Sequence, residues 1–530
     1  MRTALAATPR AVWAVTALFA ALVLAYSVLM PQYRQPDEPA HVDVVVHLQN
    51  GWDLPRPLER FLGRGVAEST VLAGYAEQPD TNARGNAPLL EPPPLARGER
   101  PGFDALGGDE PSALLNQMGQ HPPLYYVGAA AAMRGTGGAD THAFDRTVLA
   151  LRLLSGALLL PVPWLAWWTA RRLGAGTAAA VAAACAVLAV PRFVSLAAAV
   201  NNDSLLVLLF AVATALSARV LTGDRSLGTA VALGTVAGAA LLTKGLALVL
   251  PLWLGPLYLL ALWRDRDRRH VRNGLVVAGL AGALGGWWYV RNLALYGTVQ
   301  PAGVRLPEAI YLDEPLSGGG AVLDYLALFA SRLAATGWYN HSIPDDDPAA
   351  RPAVWLGLVA VAATVALAAV GLARSRPADR LVRATVCAVP AVLVLGMLLV
   401  VMWEAYHLTG RPIGMQGRYL YPAFVGLAVL CSLGGAALLG RRARWLPVAV
   451  LGAALAGTIA SVGPLLAWHW GLGRGAGPVD VVGSVLAWSP VPVPLTAVLL
   501  LLPLGAAAVT GHAVVRDAVR TAPVPAGAAA

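Results

Sequence analysis

The feature that most constrains this chain is a series of long apolar segments that recur along almost its whole length. A membrane-spanning helix needs about 20 apolar residues in a row. Twelve segments approach or reach that length, roughly 11–30, 152–170, 176–191, 203–221, 227–243, 245–263, 273–290, 353–372, 383–402, 419–439, 446–467 and 491–511. Only 13% of the residues are charged, about half the share in soluble domains. The sequence therefore predicts an all-α polytopic membrane protein of about 12 transmembrane helices, with residues 1–520 forming one integral-membrane domain.

The distribution of charge predicts how these helices are oriented. With 12 spans and both termini in the cytoplasm, the inner loops carry 20 basic and five acidic residues, and arginines crowd the short loops at 264–269 and 441–444. Such loops are typical of the cytoplasmic side. The net charge of +9 is thus explained by orientation, and a nucleic-acid partner is not expected. The run at 11–30 follows Arg2 and Arg10 without a cleavage site, which indicates a retained anchor.

The first extracytoplasmic loop, 31–151, is long and rich in Gly, Pro and acidic residues. Its apolar stretch at 122–133 is too short to span, so we predict an interfacial or re-entrant helix rather than a thirteenth span. The remainder of the loop shows no β-alternation and is expected to form short surface helices joined by irregular segments. Residues 521–530 read as a disordered tail. The bias towards Ala, Leu, Gly and Arg favours a bacterial origin, and hence the plasma membrane.

The most unusual polar stretch is Gln35-Pro36-Asp37-Glu38-Pro39-Ala40-His41, directly after the first span. The two prolines prevent the first helix from continuing and predict a stiff turn. Carboxylates at a membrane edge are costly unless they are paired, solvated or used in function. Further polar residues lie at other outer helix ends, and all fall on the same predicted side: His121 and Tyr125, Asn202 and Asp203, Lys244, Arg291, and Arg418 with Tyr419.

Each of these residues also has an ordinary structural explanation. The acidic pair could be solvated loop residues, Asp203 an N-cap, Lys244 a side chain reaching the headgroups, and the tyrosines part of an aromatic belt. Their shared side favours function, as does the fact that Lys244 is the single lysine of an arginine-rich chain. A carboxylate can accept a proton from a hydroxyl, and cations neutralise phosphate oxygens. The combination predicts sugar transfer from a lipid-linked phosphate.

These motifs resemble the GT-C superfamily of membrane glycosyltransferases, in particular a bacterial branch with Asp-Glu-Pro-x-His after the first span. The resemblance implies an inverting transfer from a polyprenyl-phosphate sugar to a glycan, lipid or protein acceptor, with the catalytic base in the first outer loop. Asp37 matches the base, Glu38 is its near substitute, and Asp203 matches a second acidic residue. We assign Lys244, Arg291 and Arg418 to the donor phosphate. The candidates for substrate binding are His41, His121, Tyr125, Asn202 and Tyr419.

Some relatives use a divalent cation, so Mg or Mn is a candidate cofactor, with Asp37, Glu38, His41 and Asp203 as its possible ligands. Two other functions fit the composition. One is a lipid or polysaccharide transporter, which should carry polar or broken helices at the bilayer midplane. The other is a non-catalytic assembly protein of the cell envelope.

Overall fold

The structure, a computed structural model, describes residues 7–78, 88–338, 343 and 351–520. It is built almost entirely of helices. In the first half these are α1 (Arg10–Leu29), α2 (Glu38–Gly51), α3 (Arg64–Leu72), α4 (Leu124–Gly135), α5 (Phe144–Leu159), α6 (Val162–Arg172), α7 (Thr177–Ala186), α8 (Pro191–Ala197), α9 (Asp203–Leu221), α10 (Leu227–Leu241) and α11 (Val249–Asp265). In the second half they are α12 (Arg269–Ala281), α13 (Trp287–Tyr296), α14 (Gly318–Trp338), α15 (Arg351–Ala373), α16 (Pro377–Arg383), α17 (Val389–Thr409), α18 (Phe424–Leu439), α19 (Leu446–Trp470), α20 (Pro478–Trp488) and α21 (Val493–Arg520).

A multi-pass membrane protein is confirmed. Within the described ranges, eight helical runs are long and apolar enough to cross a bilayer, and a ninth is possible if α7 and α8, bent by 70°, form one broken span. Every predicted segment coincides with helix. However, 419–439 and 446–467 fall in one run, Gly417–Trp470, α10 is short, and 273–290 is not among the eight. The count of 12 spans, the location of both termini and the side of the site therefore stay predictions.

The break after the first span is as predicted. Helix α1 ends at Leu29, and α2 begins at Glu38 with Pro39 in its first turn, where proline is tolerated. The connecting turn contains two residues with positive φ, Tyr33 at 63° and Asp37 at 59°. A positive φ is uncommon for residues other than glycine, and aspartate is one of the few that adopts it readily. Asp37 is thereby projected from a tight turn.

The first outer loop contains a small sheet that we did not predict. Strands β1 (Phe61–Gly63) and β2 (Pro111–Leu115) pair antiparallel. Buried Asp43 on α2 fixes this sheet, because it accepts hydrogen bonds from Arg60, from the Gly63 amide and from Asn116. The short helix predicted at 122–133 is observed as α4. The predicted disordered tail, 521–530, lies outside the described residues.

Close helix packing in the second half depends on glycine. Gly434 on α18 faces α15, and a Cβ there would lie 1.9 Å from the carbonyl oxygen of Leu367. Gly417, just before α18, lies against Gly337 on α14, a helix that we did not predict. Since side chains would separate these backbones, the glycines let α14, α15 and α18 approach one another. This packing places Arg418 beside the α2 turn.

Candidate functional site

Asp37 meets Arg418, a residue 381 positions away in the sequence. Arg418 Nη2 donates to Asp37 Oδ2 at 2.6 Å, and Gln117 Nε2 donates to Asp37 Oδ1 at 2.7 Å. The Asp37 side chain keeps 16% of its surface exposed, whereas Arg418 keeps only 4%. Asp37 is therefore a carboxylate at the edge of a buried cationic site.

Asp203 and Lys244 extend this pair into a group of four charges. Lys244 Nζ donates to Asp203 Oδ1 at 2.6 Å, and Arg418 Nε lies 3.7 Å from Asp203 Oδ2. Tyr419 covers both cations, with its ring centroid 4.8 Å from Lys244 Nζ and 5.4 Å from Arg418 Cζ. The four predicted residues thus form a series of contacts in which acidic and basic side chains alternate, in the order Asp37, Arg418, Asp203 and Lys244. The two negative and two positive formal charges balance.

Glu38, the neighbour of Asp37, is directed away from this centre. Its carboxylate is fully buried and accepts two hydrogen bonds from Arg152, at 2.8 and 2.6 Å, and one from the Val200 amide at 3.1 Å. Arg152 also donates to the carbonyl oxygens of Ser27, Met30 and Pro31. The structure does not support Glu38 as a substitute base, because all of these contacts hold it between three segments of the backbone.

Two histidines near the four charges are buried and neutral. His41 Nδ1 is 2.9 Å from the Tyr126 hydroxyl, and the two rings stack. Burial lowers the pKa of His41 to about 3, and the opposing effect of the Asp37 carboxylate does not offset it. Burial, followed by the charge of Lys244, also holds the pKa of His121 well below its usual value. Neither imidazole is suited to exchange protons near neutral pH.

The other predicted binding residues divide between the site and its surroundings. Asn202 lies beside Asp203 and donates to the carbonyl oxygen of Thr243, the residue before Lys244, at 3.3 Å. Tyr125 instead donates to or accepts from Ser155 Oγ at 2.7 Å and is buried behind Tyr126. Arg291 packs over Trp288 and Tyr296, outside the four-charge group. Its assignment to the donor phosphate is not supported by these contacts.

Sequence reasoning missed Gln117 and Arg152. Gln117 carries no signal of its own, although it lies four residues before His121, which we did single out. Arg152 lies inside a predicted span, where a charged residue is costly and is usually paired with another group. That signal could have identified it as the partner of an acidic residue.

The four proposed metal ligands do not gather into a cation site. Glu38 faces Arg152, His41 faces Tyr126, and the two aspartates face Lys244 and Arg418. Across the described parts of the chain, no group of three His, Cys, Asp or Glu residues is arranged to hold a metal ion. The donor set thus fits side-chain cations rather than a divalent metal.

Three solved structures are similar to the chain at low sequence identity. ArnT from Cupriavidus metallidurans bound to undecaprenyl phosphate is 16% identical, with 95% of this chain and 77% of that chain covered and a TM-score of 0.45. Its apo state is 18% identical over the same shares, with a TM-score of 0.43. The Archaeoglobus fulgidus oligosaccharyltransferase in the apo form is 11% identical, covers 91% and 56%, and has a TM-score of 0.39.

No curated protein sequence matches the chain. Residues 140–287 match the family model described as dolichyl-phosphate-mannose-protein mannosyltransferase. This stretch includes Arg152, Asp203 and Lys244 but neither Asp37 nor Arg418. The more specific bacterial branch, defined by the motif at residues 37–41, therefore stays a prediction. What the match adds is a similarity to lipid-phosphate-dependent mannosyltransferases over the segment that carries two of the four charges.

Proposed function

We propose that this protein is a GT-C-type glycosyltransferase that moves a sugar from a polyprenyl-phosphate donor to an acceptor hydroxyl at the extracytoplasmic face of the bacterial plasma membrane. The observation that carries the proposal is the group formed by Asp37, Arg418, Asp203 and Lys244. It combines a partly exposed base with two buried cations. The match of residues 140–287 to a mannosyltransferase family supports the same reaction class.

Arg418 is the best candidate for contact with the donor phosphate. Its Nη2 is used by Asp37, but among the described residues its buried Nε and Nη1 have no hydrogen-bond partner. A buried guanidinium with unused donors is costly on its own. Phosphate oxygens match its planar fork, and Lys244 adds a second, point-like cation on the other side of Asp203. An anionic phosphate would therefore complete the hydrogen bonding of this site.

The reaction that we propose is a single displacement. The acceptor oxygen forms a bond to the anomeric carbon while its proton passes to Asp37. The bond between the anomeric carbon and the phosphate oxygen breaks, and the polyprenyl phosphate leaves with the electron pair. Asp203 holds Lys244 and Arg418 in place, so we assign it a positioning role. Attack opposite the leaving phosphate inverts the anomeric centre.

An apolar groove next to Lys244 supports a lipid-linked donor. The groove has a volume of about 590 Å³ and runs between α10, α11 and α12, from Leu241 and Tyr289 to Tyr258 and His270. Tyr289 lines this groove, and its hydroxyl donates to the carbonyl oxygens of Leu241 and, at 3.4 Å, Lys244. The lining is nearly all apolar, which suits an isoprenoid chain whose phosphate lies at Lys244.

Asp37→Asn tests the proposal. Asparagine also tolerates positive φ, so the turn should fold as before while the base is lost. The measurements are transfer of radiolabelled sugar from purified polyprenyl-phosphate hexoses and binding of the same donors. We expect kcat to fall by about 10²–10⁴-fold with donor binding retained. Lys244→Ala and Arg418→Gln should instead weaken donor binding.

The matched control is Asp53→Asn, which removes an exposed carboxylate of the same loop and should leave transfer unchanged. Full transfer by Asp37→Asn would refute the assignment of the base. Unchanged donor affinity in both cation variants would refute the phosphate site. Movement of the lipid across a vesicle membrane without sugar transfer would instead identify the protein as a transporter. A protein that neither binds the donor, transfers the sugar nor moves the lipid would favour the role as an assembly protein.

A further inference from the structure

Two side-chain amides, Asn202 and Gln300, lie against the backbone beside Lys244. Their buried oxygens, Asn202 Oδ1 and Gln300 Oε1, have no hydrogen-bond partner among the described residues. Both amides have a fixed orientation, because their nitrogens donate to backbone carbonyl oxygens. Asn202 Nδ2 donates to Thr243 at 3.3 Å, and Gln300 Nε2 donates to Gln120 at 3.2 Å. The two oxygens are therefore left as acceptors only.

Gln300 reaches this position because of a glycine. A Cβ on Gly245, the residue after Lys244, would lie 2.4 Å from Gln300 Oε1 and 3.1 Å from its Cδ. The missing side chain thus leaves the place that the Gln300 amide occupies. On the other side, Asn202 immediately precedes Asp203, which binds Lys244. The two amides therefore lie against the backbone on either side of Lys244, at Thr243 and Gly245.

His121 lies in the same place and carries a third unpartnered atom, its buried Nδ1. It follows Gln120, whose carbonyl oxygen accepts from Gln300. Buried acceptors without partners are costly, and native structures contain few of them. Two such amide oxygens around the backbone segment that carries Lys244 point to a ligand that supplies hydrogen-bond donors there.

We infer that the side-chain oxygens of Asn202 and Gln300 accept hydrogen bonds from the transferred sugar. These two residues would thereby determine which sugar is accepted. This inference rests on the proposed function, in which the sugar is attached to the phosphate at Lys244 and Arg418. A sugar that presents O–H or N–H groups satisfies both oxygens. An ionised sugar carboxylate offers acceptors only and would face two amide oxygens, so a uronosyl donor is rejected.

The experiment uses the full-length Asp37→Asn protein, in which transfer is blocked, and measures binding of synthetic donors that share one polyprenyl phosphate. The donors carry glucose, glucuronic acid, or glucose lacking one hydroxyl at a time. We expect the glucuronosyl donor to bind at least about tenfold more weakly than the glucosyl donor. We also expect at least one monodeoxy donor to bind more weakly than its parent.

The Gln300→Met substitution in the same Asp37→Asn background tests whether Gln300 accepts a hydrogen bond from a sugar hydroxyl. It should weaken binding of the glucosyl donor by about three- to tenfold, as expected for one neutral hydrogen bond, and should abolish the penalty for one particular monodeoxy donor. The control is Gln49→Met, which removes an equally unpartnered buried amide oxygen at the far end of α2. It should leave both affinities as they were.

Equal binding of glucosyl and glucuronosyl donors, or a deoxy penalty that persists unchanged in Gln300→Met, would overturn the inference while the proposed function stands. If no donor binds, or if Arg418→Gln binds all donors as well as its parent, the phosphate site itself fails and the inference with it. A loss of affinity in Gln49→Met equal to that in Gln300→Met would also overturn the inference, because it would show a general effect of losing a buried amide.

Discussion

Replacing Glu38 with alanine is expected to destabilise the protein rather than to act on chemistry. Glu38 and Arg152 keep 0% and 1% of their side-chain surface exposed and are joined by two short hydrogen bonds. Removing one partner of a buried ion pair leaves the other charge uncompensated and costs about 3–5 kcal/mol. Arg152 cannot move to water to avoid this cost, because three backbone carbonyl oxygens at the end of α1 hold it.

The loss extends beyond the ion pair itself. Glu38 also accepts from the Val200 amide, so its removal leaves a buried N–H unpaired, at a further cost of about 1–3 kcal/mol. Together these contributions are a large fraction of the 5–15 kcal/mol that typically separates folded from unfolded protein. Glu38→Gln keeps a hydrogen-bond acceptor and the shape of the side chain, so it should lower the free energy of unfolding by less than Glu38→Ala.

Thermal unfolding of purified protein in detergent, followed by tryptophan fluorescence, measures this effect. Activity is expressed per folded molecule. The double variant Glu38→Leu/Arg152→Met should recover part of the stability lost in Glu38→Ala, because it removes both buried charges together. If Glu38→Ala unfolds at the wild-type temperature but transfers no sugar, the reasoning is wrong and Glu38 belongs to the reacting groups.

Three further predictions follow from the fold and the site. Burial lowers the pKa of His41 to about 3 in the folded protein, from 6.5 for an unperturbed histidine, so the unfolded chain binds an extra proton below pH 6.5. Stability should therefore fall as pH drops from 6.5 towards 3, and His41→Gln should flatten the dependence of the unfolding temperature on pH. Removal of divalent cations with EDTA should leave the initial rate unchanged, because Asp37 and Asp203 face side-chain cations; a loss that Mg or Mn restores would contradict this. Gly434→Ala should cost at least about 1–3 kcal/mol by forcing α15 and α18 apart, whereas Gly452→Ala, which has open space around it, should unfold like the wild type.

The membrane-spanning architecture could be predicted from sequence because apolar length is a local property. Each of the 12 predicted segments is found as helix. The break between α1 and α2 was predicted from Pro36 and Pro39, although α1 already ends at Leu29, two residues before Pro31. The proximity of Asp37, Asp203, Lys244 and Arg418 was also predicted. Polar residues at the same end of several packed spans avoid the lipid by facing one another. Strand β1, in contrast, has three residues, which is too short for alternation to be visible.

The different environments of Asp37 and Glu38 could not be predicted from sequence. The two residues are adjacent and chemically alike, and what separates them is the positive φ of Asp37 together with partners that are remote in the chain. Glu38 finds Arg152 at a separation of 114 residues and Asp37 finds Arg418 at 381. Arg291 met the same sequence criterion, an arginine at a predicted outer helix end, but in the structure it packs on aromatic rings.

In the reaction that we propose, the contact between Asp37 and Arg418 links proton transfer to charge stabilisation. A polyprenyl-phosphate sugar is a phosphodiester with one negative charge, and the leaving phosphate gains a second as the bond to the sugar breaks. At the same time Asp37 becomes neutral by taking the acceptor's proton, so the Nη2 donor that it held at 2.6 Å is no longer needed there. Arg418 can then direct its whole guanidinium to the phosphate at the moment when the negative charge on the phosphate increases. Interactions that strengthen only in the transition state are those that raise kcat. The same ion pair that holds Asp37 in the resting protein would therefore lower the barrier to transfer.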